Sequence, residues 1–231
     1  MQMIIIDNLL LTDGILHAVG RDDKETMVFL KQGDFFEKSS VCSLMMMLMF
    51  HKRINREELL HKVSSNAPTY IKELKKRFLL TPPRGYLMMD LQKKLLRSFN
   101  NQIDVDVFSV GSFDDEADLN KLRKLHLKIK GHLDAGKPVL IGFDFFRGVN
   151  WHYVVAIGYM MYGKTLRLFC LDPAYDLQYT SIWNNVIDIN MNFHEDYDYM
   201  EYEVVHIESI LLIDKQDLPF EREEINSISP F

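Results

Sequence analysis

Residues 42 to 50 read Cys-Ser-Leu-Met-Met-Met-Leu-Met-Phe, a run in which Ser43 is the only polar member. Unbranched Met and Leu favour helix, and Ser39 and Ser40 just upstream are both able N-caps. A helix that is apolar on all sides has no face for water, so it must be wrapped by other elements. It is also far too short to cross a bilayer, which needs about 20 apolar residues. The rest of the chain therefore has to build a shell around this segment. With 231 residues, 47% of them hydrophobic, there is enough material to do so.

Period-two and period-3.6 patterns suggest what the shell is made of. Met3–Leu11 and Gly14–Val19 read as short strands around the turn signal Thr12-Asp13-Gly14, with Thr26–Leu30 a third. Gln32–Ser40 reads as a loop. Helices are expected at Arg56–Val63 behind Asn55, at Ala67–Leu79 before Pro82-Pro83, at Leu87–Ser98 and at Asp118–Leu133. Val105–Val110, Pro138–Phe143, His152–Met160, Leu166–Leu171 and Tyr202–Ile213 read as strands. Helices followed by an antiparallel sheet make the expected class α+β. The organisation expected is one domain over 1–231, with a strand-rich N-terminal extension at 1–31 and a C-terminal strand and tail at 191–231.

Charge and cysteine content narrow the function classes. The formal net charge is -6, and the Lys/Arg cluster at Lys72–Arg77 reads as a solvated helix face, so no nucleic-acid partner is expected. Two cysteines, Cys42 and Cys170, are too few for a disulfide-stapled secreted domain. The apolar start is broken by Asp7 and Asn8 and lacks a basic lead and a cleavage site, so it is not read as a signal peptide. No membrane span is expected, and a reducing cytoplasm is the expected setting. No cofactor is expected either: Gly131, Gly136 and Gly142 lack phosphate-loop spacing. His194, Glu195 and His206 match no standard zinc pattern.

Cys42 would stand in the first turn of the apolar helix, where unpaired N–H groups and the helix dipole favour a thiolate. Read alone, it serves equally as a small buried hydrophobe. His152 opens an otherwise apolar strand, which would hold a base rigidly, although a lone strand-end histidine is commonly satisfied by backbone. Pairing Met160 with Lys164 across Met161-Tyr162-Gly163 carries Asp172 to the position opposite His152. At cross-strand distance a carboxylate can fix an imidazole tautomer. A slip of one residue would bring Leu171 or Pro173 there instead. Thiol, imidazole and carboxylate together are what nucleophilic catalysis by cysteine requires. Gln32, upstream of the thiol, is a candidate amide donor to an oxyanion alongside the Cys42 N–H; as a lone Gln in a loop it reads more readily as a solvated residue. On the same reasoning Asp172→Asn is expected to be milder than loss of Cys42 or His152.

Gln32, Cys42–Leu48 and Asn55–Leu59 resemble the front half of papain-like cysteine peptidases of the double-glycine leader peptidase type. Gly136–Ile141, Trp151–Tyr159 and Leu171–Ala174 resemble that group's His and Asp strands in order and spacing. The resemblance runs over roughly Phe29–Trp183. It implies a papain-like fold, with N-terminal helices, one of them central and buried, packed on a C-terminal antiparallel sheet. It also implies a peptide or protein substrate cleaved by Cys42, His152 and Asp172, with Gln32 assisting. Ser43 departs from the glycine usual after the nucleophile, and the Gln32–Cys42 loop is longer than usual. Phe193–Glu203, dense in Asp, Glu and Tyr, reads as a solvated loop or as a lid or partner surface. Other thiol acyl-transfer chemistry, deamidation or amide formation, and a binding protein without turnover remain open.

Overall fold

Every residue of the first helix, α1 (Ser39–Phe50), is buried, as its composition requires. The computed structural model describes residues 2–7, 9–13, 15–19, 25–33, 38–61, 67–79, 86–110, 119–144, 151–190, 197–199 and 203–214. Before α1 come β1 (Gln2–Ile5), β2 (Leu9–Thr12), β3 (Ile15–Val19) and β4 (Glu25–Met27). After it come α2 (Arg56–Leu60), α3 (Thr69–Leu74, continued as a π-helical turn at Lys75–Leu79), α4 (Met88–Ser98), β5 (Asp104–Ser109) and α5 (Leu119–Asp134). The chain continues as β6 (Val139–Asp144), β7 (Trp151–Tyr162), β8 (Thr165–Leu171), β9 (Asn185–Asn190), β10 (Tyr197–Tyr199) and β11 (Glu203–Asp214).

The expected papain-like order, helices first and sheet second, is overturned. The chain opens on strands, the helices occupy its middle, and the large antiparallel sheet takes strands from both ends. β1 pairs with β7, Gln2 opposite Met161 through Ile5 opposite Gly158. A short apolar stretch lies wherever an unpaired edge accepts it, and sequence order does not say which edge that is. β2, β3 and β4 form a separate three-stranded sheet. Its Leu16 and Ala18, with Val28 and Leu30 beyond it, enter the same apolar cluster as α1.

The large sheet closes on itself. β7 pairs with β6 and β8, β9 joins β8 to β10, and β11 joins β10 to β6, so these six strands form a ring. Inward residues of the ring, including Ile141, Val154, Leu168, Ile187 and Ile207, share one cluster with Leu125, Ile129 and Leu133 of α5. The opposite face of β7, Tyr153, Val155 and Ile157, packs with α1. Strand alternation thus separates two cores. Two strands of the ring, β9 and β10, were absent from the sequence reading. The signal for β9 was present in the alternation of Ile187 and Ile189 with Asp188 and Asn190.

At Gly158 the backbone of β1 lies directly over β7. A Cβ there would stand 2.4 Å from the Ile4 carbonyl oxygen and 2.9 Å from Ile5 Cα. The obstacle is main chain, which cannot rotate away. Gly158→Ala is therefore expected to cost roughly 1–3 kcal/mol or more, read as a lowered midpoint in urea. Unchanged stability would mean that β1 does not hold this position in solution. Among the described residues no helix is long and apolar enough to cross a membrane.

Candidate functional site

The site is built at the start of β7. His152 and Asp172 are in direct contact: His152 Nε2 and Asp172 Oδ1 are 2.7 Å apart. The imidazole is mostly covered, and the carboxylate has no exposed surface. This contact arises by a different register from the one expected. The β7–β8 turn is a two-residue Gly163-Lys164 link, with Tyr162 opposite Thr165 and Met160 opposite Arg167 rather than Lys164. Gly163 takes the positive φ, +58°, that the turn demands.

Carried straight on, that register would set Asp172 opposite Val155, on the α1 side of β7. A bulge between Ala156 and Gly158 shifts the pairing so that Val155 meets Leu171. One step further, Asp172 falls at Val154, on the same face as His152 and one diagonal away. A one-residue shift moves a side chain to the other face of a sheet, so the bulge is what brings the acid to the base. Diagonal neighbours about 7–8 Å apart at Cα are within reach of an imidazole.

Asp172 is held from every side. Oδ1 also accepts the Ala174 N–H at 2.8 Å, Oδ2 accepts Asn185 Nδ2–H at 2.8 Å, and the Tyr199 hydroxyl donates to Oδ2. Its backbone is clamped by Asn184, whose Oδ1 accepts the Asp172 N–H and whose Nδ2 donates to the Asp172 carbonyl. Burial works to raise the carboxyl pKa. The His152 hydrogen bond and charge, the Tyr199 hydroxyl and the Ala174 N–H outweigh it, so the group lies below its ordinary value. An ionised carboxylate accepts only, which fixes Nε2 as the protonated nitrogen of a neutral His152 and puts the basic lone pair on Nδ1. Phe143 packs edge-on against the imidazole, ring centroids 5.4 Å apart.

Cys42 arrives from the other core, on α1. The N-cap is Lys38, without a side-chain capping bond, so Ser39 and Ser40 are first-turn residues rather than caps. The Cys42 N–H donates to the Lys38 carbonyl at 3.1 Å. This corrects the expected oxyanion role of that amide, because an N–H already inside the helix ladder is committed. Ser43, the departure from the expected glycine, donates its hydroxyl to the Tyr153 carbonyl at 2.9 Å in a buried bond. Residues 43 and 153 are the direct neighbours of Cys42 and His152. The bond therefore seats the first turn of α1 on the start of β7.

Gln32 lies beside the acid. Its backbone N–H donates to the Pro173 carbonyl at 2.7 Å, and Lys31 pairs with Asp176 at 2.6 Å. These contacts tie the strand leading to α1 onto the loop that follows Asp172. A half-open cleft of about 230 Å³ lies alongside, with Leu16, Met27, Phe29 and Leu177 among its lining residues. Residues 34–37, most of the loop between Gln32 and α1, lie outside the described residues.

The site has further members that sequence reasoning missed: Asn184, Asn185, Tyr199 and Phe143. Asn184-Asn185 sits twelve and thirteen residues past Asp172, and nothing in its local pattern marks it out. Tyr199 lies in the acidic, tyrosine-rich stretch read as a solvated loop. Its described part is a strand, with Tyr199 fully buried. Among the described residues no three His, Cys, Asp or Glu side chains are placed to hold a metal ion. His206 lies on β11 opposite Asp144, while His194 and Glu195 fall outside the described residues.

The two thiols differ in setting. Both are free and buried. Cys170 points into the ring, where burial and the charge of Asp172 push its pKa well above the ordinary thiol value. Cys42 has a helix N-terminus beneath it. Cys42 is expected to alkylate much faster than Cys170 at neutral pH, because burial and the Asp172 charge hold the Cys170 thiol protonated. Peptide mass spectrometry after brief iodoacetamide treatment of the native protein measures the ratio. Preferential labelling of Cys170 would count against a reactive Cys42.

No protein-family model matches the chain, and no curated protein matches it by sequence.

Proposed function

We propose that the protein is a thiol-dependent hydrolase, a cysteine peptidase that cleaves a peptide through Cys42, His152 and Asp172. The observation that carries this reading is the largely covered His152–Asp172 hydrogen bond, one residue from the Ser43–Tyr153 bond that anchors the start of α1. An imidazole held by a buried acid needs no such arrangement for packing alone. A thiol on the adjoining turn supplies the partner that makes it useful.

In the proposed reaction His152 Nδ1 takes the Cys42 proton, and the thiolate sulfur attacks the scissile carbonyl carbon. The carbonyl π-electrons move to oxygen and form a tetrahedral oxyanion, toward which Gln32 is the candidate donor. Collapse breaks the C–N bond, with the imidazolium proton passing to the leaving amine, and leaves a thioester on Cys42. Water then attacks the thioester as His152 takes its proton. The thiol departs and an acid is released. Asp172 stays ionised throughout and holds the ring in one orientation. The peptide is proposed to lie along the cleft whose lining mixes Leu16, Met27 and Phe29 with Lys31, Arg56 and Asp176. A reducing compartment would keep both cysteines in the free form they have here.

The test is a peptide library incubated with wild type and with Cys42→Ala, read by mass spectrometry. Cys42-dependent cleavage at defined bonds supports the reading. A mass change of one unit at glutamine, or transfer to an added amine without cleavage, would replace hydrolysis of peptide bonds with other acyl transfer. Absence of any Cys42-dependent product, together with no labelling by an iodoacetamide or vinyl-sulfone probe, would overturn it.

A further inference from the structure

The side of Asp172 turned away from His152 is built as carefully as the side that faces it. Oδ2 receives two donors, the Tyr199 hydroxyl from β10 and Asn185 Nδ2 from the first residue of β9. Tyr199, Asp172 and Asn185 are all buried. The Tyr199 ring continues the packing chain of the site: it lies 4.9 Å from the Phe143 ring, which in turn packs against His152. Asn185 cannot turn its amide over, because its Oδ1 accepts the Val186 N–H at 2.7 Å. Its NH2 group is therefore held toward the acid.

We propose that Tyr199 and Asn185 are positioning residues, which keep Asp172 ionised and aim its other oxygen at His152. The inference rests on the thiol-hydrolase reading. It assigns to Tyr199 a function in supporting the site from behind.

The physical argument is a count of donors. A carboxylate offers about four lone-pair sites, and here four donors occupy them: His152, Ala174, Asn185 and Tyr199. Protonating Asp172 would place a fifth hydrogen where an acceptor is needed. Of the four, the Tyr199 hydroxyl can turn round to accept it, and His152 Nε2 can do so only by giving up the tautomer that leaves Nδ1 basic. Burial and the charge of Asp172 keep that phenol protonated and able to donate. The titratable groups facing the acid are His152 from β7, Tyr199 from β10 and Cys170 from β8, with Tyr175 of the following loop facing Tyr199. Removing a donor to the ionised form raises a carboxyl pKa. In Tyr199→Phe, Asp172 should therefore pick up its proton at a higher pH and release His152 sooner as the solution is acidified.

The test is the rate of Cys42 alkylation by iodoacetamide from pH 4 to 9 on the full chain, for wild type, Tyr199→Phe and Asn185→Ala. Phe keeps the ring against Phe143, and Asn185→Ala leaves Tyr199 untouched, so each reports on one donor. Both variants are expected to move the acid limb to higher pH and to slow labelling at neutral pH by about 10-fold, the scale of one charge-assisted hydrogen bond. A residue that merely fills space would lower the rate without moving the limb. Unmoved limbs in both folded variants would overturn the inference while leaving the hydrolase reading intact. A wild-type Cys42 that labels no faster than an unfolded thiol would instead remove the reading on which it rests. If Tyr199→Phe fails to fold, an unmoved limb in Asn185→Ala alone overturns the inference.

Discussion

Cys42→Ala and His152→Ala are each expected to remove turnover, with a loss on the order of 10⁴-fold or more. Each deletes an obligatory participant, the atom that forms the thioester or the base that carries its proton. The double variant should be no worse than either single one, since a nucleophile without its base and a base without its nucleophile are equally idle. Gln32→Ala should cost about 10²–10³ if its amide meets the oxyanion. Rates on the best peptide from the library, with circular dichroism to confirm folding, measure all four. Full activity in Cys42→Ala would end the peptidase reading, and additive losses in the double variant would point to separate binding roles.

Substitution of Asp172 should affect both stability and rate. Asp172→Ala strands the buried Tyr199 hydroxyl and Asn185 amide, along with the mostly covered His152 Nε2–H and the exposed Ala174 N–H, and each buried donor left without an acceptor costs about 1–3 kcal/mol. The pH dependence has a definite sign. The folded carboxyl lies below its ordinary value, so its stabilising effect is complete above the unfolded value, about 3.9. It is lost as pH falls through the lower folded value. The gap in melting temperature between wild type and Asp172→Ala should therefore be constant near neutrality and close in acid.

Asp172→Asn, expected from the sequence to be milder than loss of Cys42 or His152 because an amide keeps one acceptor, should in this setting still be costly. With its NH2 at Oδ2 it meets the fixed Asn185 NH2. With its NH2 at Oδ1 it meets the Ala174 N–H and forces His152 into the other tautomer, which places a proton on the nitrogen needed as base. A rate loss of about 10²–10⁴-fold is expected. Near-wild-type kinetics in Asp172→Asn would show that the acid does not set the imidazole tautomer.

What the sequence determined by itself is the chemistry available and much of the local structure. The run from Cys42 to Phe50 could only be a buried helix, because it has no polar face. The strands at 139–144, 151–162 and 165–171 were legible because both of their faces are apolar and turn residues punctuate them. Cys42, His152 and Asp172 stood out by type and context. Their meeting did not follow from local pattern. The expected hairpin register was off by three in its paired sum, and Asp172 reaches His152 only because a bulge at Ile157 changes the face on which β7 presents its base. A bulge depends on how β7 satisfies β8 on one edge and both β6 and β1 on the other, and no short window of sequence contains all four strands.

The same holds for the order of the fold and for the support of the acid. Gln2–Ile5 is a tetrapeptide, apolar from Met3 on, whose partner lies some 155 residues away, so its place beside β7 rewards no local preference. Asn184, Asn185 and Tyr199 are ordinary surface-type residues until ring closure brings β9 and β10 against the end of β8. Hydrophobic periodicity reports which residues leave water, whereas hydrogen bonds between buried polar side chains depend on angles and distances that only the closed sheet defines. Tertiary structure alone decided that four donors converge on Asp172.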